Sequence, residues 1–417
     1  MIGYRQALIA LLLTVLSGVL YAQNNTNSPY TRYGYGELAD PGLGNSRAMG
    51  GIAYGLRDPY QTNTANPASY TAVDSLTFIF DGGVTLQKVN FSDGTLKRNA
   101  NNSSFDYITM HFRASRWAAV SLGMLPYSNV GYNLGSAVEE SEGTPAHTVT
   151  YSGEGGLHQV YLGLGFKILK NLSVGTNISY LWGDITRTRT QNITSVSSAY
   201  SLITMSYVSM RSYKLDFGAQ YSMDLGNKHG LTLGAVFSPG HDLSTDSYME
   251  DYLGSGSYVT TRRDTVATFS IPMTVGLGAT YTYNNRLTVG ADFMLQTWNK
   301  ATYMNDEDAF CKRGKLSVGA EYVPNPMSRH YLNRVKYRVG AYYSKPYYKI
   351  DGERAATEYG LSAGFGLSVP RTRSLLSLTA QYVRTEGAKA MFLDQNAFRL
   401  CIGVTFNERW FFKRKVD

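Results

Sequence analysis

Charge is scarce in this chain: Asp, Glu, Lys and Arg together make up only 17% of its 417 residues, against about a quarter in an ordinary soluble domain. Cysteine is nearly absent. Cys311 and Cys401 are the only two, which excludes a disulfide scaffold. They fall on a loop edge and on the last strand-like segment, so they are expected to stay unpaired even in an oxidising compartment. Long apolar runs are missing too. Beyond the first 22 residues none reaches the 18 or more that a spanning helix needs. The six histidines, His111, His147, His158, His229, His241 and His330, make no metal-ligand spacing and no base–nucleophile pair. No enzyme activity, metal or cofactor is therefore expected. No Lys/Arg cluster is interleaved with aromatics, which argues against nucleic acid as a partner.

What is abundant is tyrosine, at 33, and glycine, at 42. The mean hydropathy is nevertheless slightly negative, at −0.23. Strands with one face toward lipid and the other toward a polar lumen average out to such a composition. The first 22 residues carry Arg5 followed by an apolar stretch from Ala7 to Leu20 and a small residue at Ala22. This pattern predicts a secretory signal peptide over 1–22. No Cys follows it, so lipoprotein processing is not expected. The formal net charge is +8, and the leader accounts for one of those charges; ordinary surface screening explains the remainder.

Period-2 alternation runs through most of the chain. Phe398, Leu400, Ile402, Val404 and Phe406 fall on one face, with Arg399, Cys401, Gly403 and Thr405 on the other. Leu172 to Trp182, Leu287 to Leu295 and Val335 to Tyr343 repeat the pattern. Such segments number about fourteen, at about 76–90, 103–114, 116–134, 148–167, 170–190, 200–222, 229–243, 257–282, 284–301, 312–323, 334–349, 355–370, 374–388 and 395–412, each long enough to cross a bilayer as a tilted strand. Their connections alternate in length. Short turns are predicted around Ser115, Lys170 and Asn171, Asn227 and Lys228, Asn284 and Asn285, and Arg371 and Thr372; longer loops are predicted at 91–102, 135–147, 191–199, 244–256 and 302–311. Outer-membrane barrels keep short turns on the periplasmic side and long loops outside, which predicts both termini in the periplasm. The connection from Pro324 to Asn333 is longer than this rhythm predicts.

A soluble sandwich or propeller also alternates. Here, however, Tyr and Trp gather at strand ends, as at Tyr180 and Trp182, Tyr281 and Tyr283, Tyr342 and Tyr343, and Trp410, the placement of membrane aromatic girdles. The fold class expected is all-β, a transmembrane antiparallel β-barrel of about 14 strands over 76–412. Segment 23–75 would be a plug inside its lumen, and 413–417 a short basic periplasmic tail. The alternating aromatics of the last strand, with Trp410, Phe411 and Phe412, would be read by barrel-assembly machinery during insertion. By parity with the apolar face, His111, Arg113, Lys214, Asp216, Asp292, Lys315, Glu321, Lys336, Arg338 and Arg399 point into the lumen.

The segment Gly42 to Ala68 has five glycines, two prolines and no sustained period, so its shape must come from its surroundings. Its Gly42, Gly44, Gly50, Gly51, Asp58, Asn66, Pro67 and Ala68, followed directly by a strand from Leu76, resemble the N-terminal hatch of the FadL-type long-chain fatty-acid transporters. Val120 to Pro126 resembles that family's third strand. The resemblance implies apolar substrates captured outside and released sideways at a kink in that strand, here marked by Gly123, Pro126 and Gly131. Pro cannot donate to a ladder, so the bland alternative is a bulge that only adjusts curvature. Asn66, Pro67 and Ala68 also read as a turn that positions the first strand. A ligand carboxylate would pair with a lumenal cation, for which Arg338 and Arg399 are the candidates.

The function expected is transport of long-chain fatty acids or similar hydrophobic small molecules across the outer membrane of a Gram-negative bacterium, by a monomer whose partners are the bilayer and its ligand. The sequence departs from the transporter pattern in two places: the external loop Val138 to Gly143 is polar, and an Asn-rich lead, Gln23 to Ser28, precedes Tyr30, Tyr33 and Tyr35. These departures support an alternative from another class, a non-transporting barrel subunit of an outer-membrane protein secretion or assembly complex. A plain porin is disfavoured, because a plug of this length would block it.

Overall fold

The computed structural model describes residues 25–409 except 93–96, 142–144, 194–200, 255–258, 266, 307, 351, 355, 371 and 388–392. The predicted leader, the aromatic end from Trp410 and the basic tail lie outside the described residues. Fourteen antiparallel strands make the barrel: β1 Thr77–Ser92, β2 Lys97–Arg113, β3 Ala118–Val138, β4 His147–Lys167, β5 Leu172–Ile193, β6 Leu202–Asp224, β7 His229–Ser238, β8 Thr274–Tyr283, β9 Leu287–Gln296, β10 Arg313–Tyr322, β11 Lys336–Ser344, β12 Ala356–Ser368, β13 Leu375–Gly387 and β14 Asp394–Arg409. Each pairs with its neighbour in sequence, and β1 closes the ring on β14 from Thr77 opposite Arg409 to Ser92 opposite Asp394. Closure leaves the sheet without a terminal edge.

The alternation read from the sequence becomes the barrel's inside and outside. Arg338 is 2% exposed and its neighbour Val339 is 58% exposed, so consecutive residues of one strand face lumen and lipid. No helix among the described residues is long and apolar enough to span a membrane; the strands do that work. The turn at Asn284 and Asn285 is tight because both residues adopt φ of +51°, the left-handed pair of a type I′ turn, and the Arg286 amide donates to the Tyr283 carbonyl at 3.0 Å across them.

Three expectations are corrected. The predicted loop 91–102 is largely strand, since β1 runs to Ser92 and β2 starts at Lys97. The predicted loop 244–256 contains a strand, Ser244–Leu253, which pairs with Leu202–Arg211 of β6 and with a further strand, Val259–Asp264. The single strand expected over 257–282 is accordingly three, Val259–Asp264, the short Ser270–Ile271 and β8, of which only β8 is in the barrel wall. The reason is length. β7 has ten residues and β6 has 23, so the surplus backbone of β6 needs another partner for its hydrogen bonds and finds it in this projecting three-stranded sheet.

Residues 25–76 fill the lumen. The lumen-facing glycines make room for them: a Cβ on Gly234 would lie on the carbonyl of Tyr54, one on Gly319 on that of Met49, and one on Gly340 on the amide of Gly50. Cys311 and Cys401 are both free and buried.

Candidate functional site: hatch and seam

The hatch is built from small capped turns. Helix α1, Gly44–Ala48, is stopped by Gly50 and Gly51 at φ of +68° and +85°, a conformation that L side chains resist. Asn66 caps a 3-10 helix, Pro67–Ala72, its Oδ1 accepting from the Ala68 amide at 3.1 Å while its Nδ2 donates to the Tyr54 carbonyl at 2.8 Å. Pro67 at the first helical position has no N–H to leave unsatisfied. Asp58 accepts from the Tyr60 amide at 2.8 Å and meets Lys336 at 3.3 Å.

Charged pairs join this hatch to the wall. Arg47 Nη1 lies 2.7 Å from Asp106, Lys315 Nζ 2.6 Å from Asp40, and Arg399 Nη2 2.5 Å from Glu37. Asp292 Oδ2 accepts from the amides of Ala53 and Tyr54 at 2.5 and 2.7 Å. Burial alone would raise the Asp40 carboxyl, but the Lys315 charge and hydrogen bond and the Gly42 amide hold it below its ordinary value.

The wall has one incomplete seam. β2 pairs with β3 only from Ile108 opposite Met124 to Arg113 opposite Ala119. Beyond it β3 shifts register against β4 between Pro126 and Ser128. An unpaired edge at membrane depth is costly, and the hatch supplies a partner. Glu37 and Leu38 pair with Asn129 and Ser128, and the Ala39 amide donates to the Tyr127 carbonyl at 3.0 Å. The Gly131 amide donates to Thr31 Oγ1 at 3.2 Å, and Asn27 reaches Asn102 of β2 at 2.6 Å. The lead 25–38 thus stands directly behind the seam.

Two cavities flank the hatch strand. One of about 170 Å³ is lined by Phe105 and Pro126 at the seam and by Arg47, Lys315, Tyr342 and Arg399. Another, of about 130 Å³, lies against Tyr161, Asn177, Lys214, Asp216 and Arg313. At the end carrying the long loops, an aromatic cluster closes over Tyr35. Its ring is 5.2 Å from Tyr303, 5.6 Å from Trp298 and 6.1 Å from Phe310, and its hydroxyl donates to the Ser270 carbonyl at 3.0 Å.

The two cationic candidates are separated. Arg399 lines the larger cavity. Arg338 lies buried under the hatch, with Nε 2.7 Å from Glu321 and Nη2 3.4 Å from Gln61. Gly123 pairs with Thr109 and Tyr161 just before the register shift. The hatch–wall pairs formed by Glu37, Asp40, Arg47, Asp106 and Asp292 are absent from the sequence reading of the site. Their only advance signal is a set of lumen-facing strand charges opposite a hatch bearing its own. Among the described residues no group of His, Cys, Asp and Glu is arranged to hold a metal.

A closed fourteen-strand antiparallel barrel with an N-terminal segment packed inside it is the class of protein that the fold defines. Solved structures share the fold at low identity. The monoaromatic hydrocarbon channel CymD superimposes with a TM-score of 0.59 at 13% identity, over 89% of this chain and 99% of its own. A Pseudomonas aeruginosa FadL homologue gives 0.59 at 14%, again over 89% and 99%. The Pseudomonas putida toluene transporter TodX gives 0.57 at 15%, over 90% and 100%. No curated protein sequence matches the chain. The model of the BamG family matches residues 1–417, and the chain belongs to that family.

Proposed function

We propose that this barrel carries hydrophobic small molecules across the outer membrane, from the long-loop face into the lumen and out sideways between β2 and β3. The observation that carries this reading is the seam, where barrel pairing stops at Ile108 and Met124 and only the hatch strand continues it. The larger cavity reaches Phe105 and Pro126 at that place and has Arg399 on its wall. That cation would meet a carboxylate head if Glu37 gave way. The fold shared with proteins described as hydrocarbon channels and a toluene transporter supports the same reading.

Leu38 of the hatch strand lies opposite Ser128 of β3. The test is a Leu38→Cys, Ser128→Cys pair, oxidised to staple the hatch strand into the seam, assayed for uptake of labelled long-chain fatty acids and monoaromatic hydrocarbons. Uptake that falls on oxidation and returns on reduction supports the reading. A stapled barrel that takes up both substrate classes as fast as the reduced one sinks it.

A second reading is a non-transporting subunit of a secretion or assembly complex. It is favoured by the hatch's buried ion pairs and by the sheet of 202–211, 244–253 and 259–264 that projects beyond the barrel. Mass spectrometry of the barrel purified in mild detergent separates the two. Stoichiometric protein partners with no retained apolar ligand would favour the second.

A further inference from the structure

The lipid-facing wall is not uniformly convex. Across β12, β13, β14, β1 and β2 it is hollowed into a groove of about 280 Å³ walled by Phe80, Val84, Leu376, Ile402 and Val404. These residues alternate along their strands with buried Asp81 and Thr405, so the groove lies outside the barrel, toward lipid. Its floor is Gly82, and β1 shifts register against β2 between Gly83 and Val84. An absent side chain and a bulge together make the hollow. A Cβ on Gly82 would meet only the Tyr107 carbonyl, at 3.6 Å.

One end of the groove borders the seam at Phe105 and Ile108, and the other is walled by Tyr331. Tyr331 belongs to the overlong connection between β10 and β11 and opens a 3-10 helix, Tyr331–Arg334. The Arg334 guanidinium sits 5.6 Å from the Tyr331 ring centroid. Its Nε is buried without a hydrogen-bond partner. Met327 and Leu332 of the same connection are 93% and 68% exposed, beside exposed Arg329. Apolar tips next to free cations suit the boundary between acyl chains and headgroups.

We infer that this groove holds one acyl chain of a phospholipid from the leaflet at the short-turn end, with the lipid's phosphodiester on Arg334. An apolar trough alone would suit any hydrocarbon; the Arg334 guanidinium beside Tyr331, which walls one end, selects an amphiphile with an anionic head. The length of the β10–β11 connection then has a purpose, since it brings Tyr331 and Arg334 to the lipid.

The test uses the full chain in nanodiscs of phosphatidylglycerol and phosphatidylcholine in which a fraction of the phosphatidylglycerol carries a photoactivatable acyl chain. Cross-links are mapped by peptide mass spectrometry, and heat-modified gel mobility confirms folding. Label is expected to concentrate on the peptides bearing Phe80 to Val84 and Tyr331. Gly82→Phe, which fills the floor, is expected to abolish that labelling, and Leu277→Phe on another part of the lipid-facing wall to leave it unchanged. Arg334→Gln is expected to weaken it about tenfold, the loss of one charge-assisted contact. Even labelling around the wall, or a folded Gly82→Phe variant labelled like the wild type, overturns the inference. If Gly82→Phe does not fold, the wild-type label map and Arg334→Gln decide.

Discussion

Arg47 Nη1 stands 2.7 Å from Asp106 Oδ2, tying hatch helix α1 to β2 two residues beyond the last rung that β2 shares with β3. Thr85 Oγ1 completes the link, donating to Asp106 at 2.6 Å while accepting from Arg47 at 2.9 Å. The barrel's shortest lateral pairing and one of its ionic holds on the hatch therefore occupy the same level.

Removing one partner should expose how much this hold contributes. Arg47→Ala leaves Asp106 buried with hydroxyl partners alone, an arrangement that costs about 3–5 kcal/mol when a buried pair is broken. The expected result is a lower unfolding temperature together with earlier proteolysis of the hatch. Arg47→Met combined with Asp106→Leu should recover most of the loss. Scanning fluorimetry and limited proteolysis check both; a double variant as unstable as the single one would contradict the ion-pair account.

The glycine floor gives a second prediction. Valine at Gly234 or Gly340 would press on hatch backbone, and overpacking of this kind costs about 1–3 kcal/mol or more. Gly314, whose Cβ would meet nothing nearer than the Met294 carbonyl at 4.0 Å, is the control. Gly234→Val and Gly340→Val should raise hatch proteolysis while Gly314→Ala does not.

Acid should loosen the hatch late. The folded Asp40 carboxyl is held below its unfolded pKa of about 3.9. Its contribution is therefore complete above that value and is lost as pH falls through the lower folded one. The share of hatch protection against an acid-tolerant protease that Asp40→Asn removes should stay level from neutral pH down to about 4 and fall only below it. In Lys315→Met the lowering charge is gone, so the folded and unfolded values of Asp40 draw together: protection should be weaker at neutral pH and the fall below about 4 should shrink.

The aromatic cap separates packing from hydrogen bonding. Tyr35→Phe deletes only the bond to the Ser270 carbonyl and should cost about 1 kcal/mol. Tyr35→Ala also empties the space among Trp298, Tyr303 and Phe310 and should cost about 3–5 kcal/mol. Equal losses in thermal unfolding would show that the ring packing is not what holds the lead in place.

The barrel was legible because its signal is local: inside and outside alternate residue by residue, as Arg338 and Val339 do, and Asn284 with Asn285 marks a hairpin without any distant information. The strand Ser244–Leu253 escaped that reading because Ser, Thr, Asp, Glu and Tyr occupy both of its faces, and a strand standing clear of lipid and lumen has no reason to alternate. The seam's location was marked by Pro126, but its extent was not, since it depends on where β2 and β3 diverge in space. The hatch–wall pairs were hidden for the same reason: Arg399 and Glu37 are 362 residues apart, and nothing in either neighbourhood names the other.

The ring is closed by the pairing of β1 with β14, the first barrel strand with the last, and the hatch that precedes β1 lies wholly within it. That arrangement fixes an order of assembly. The lead reaches the aromatic cap at the long-loop end, while the Pro67–Ala72 turn is moored to the wall at the other, so a finished barrel would have no easy route by which to admit it. Entry of the hatch before Thr77 meets Arg409 is therefore the expected order, and the β1–β14 interface is the seal on its enclosure.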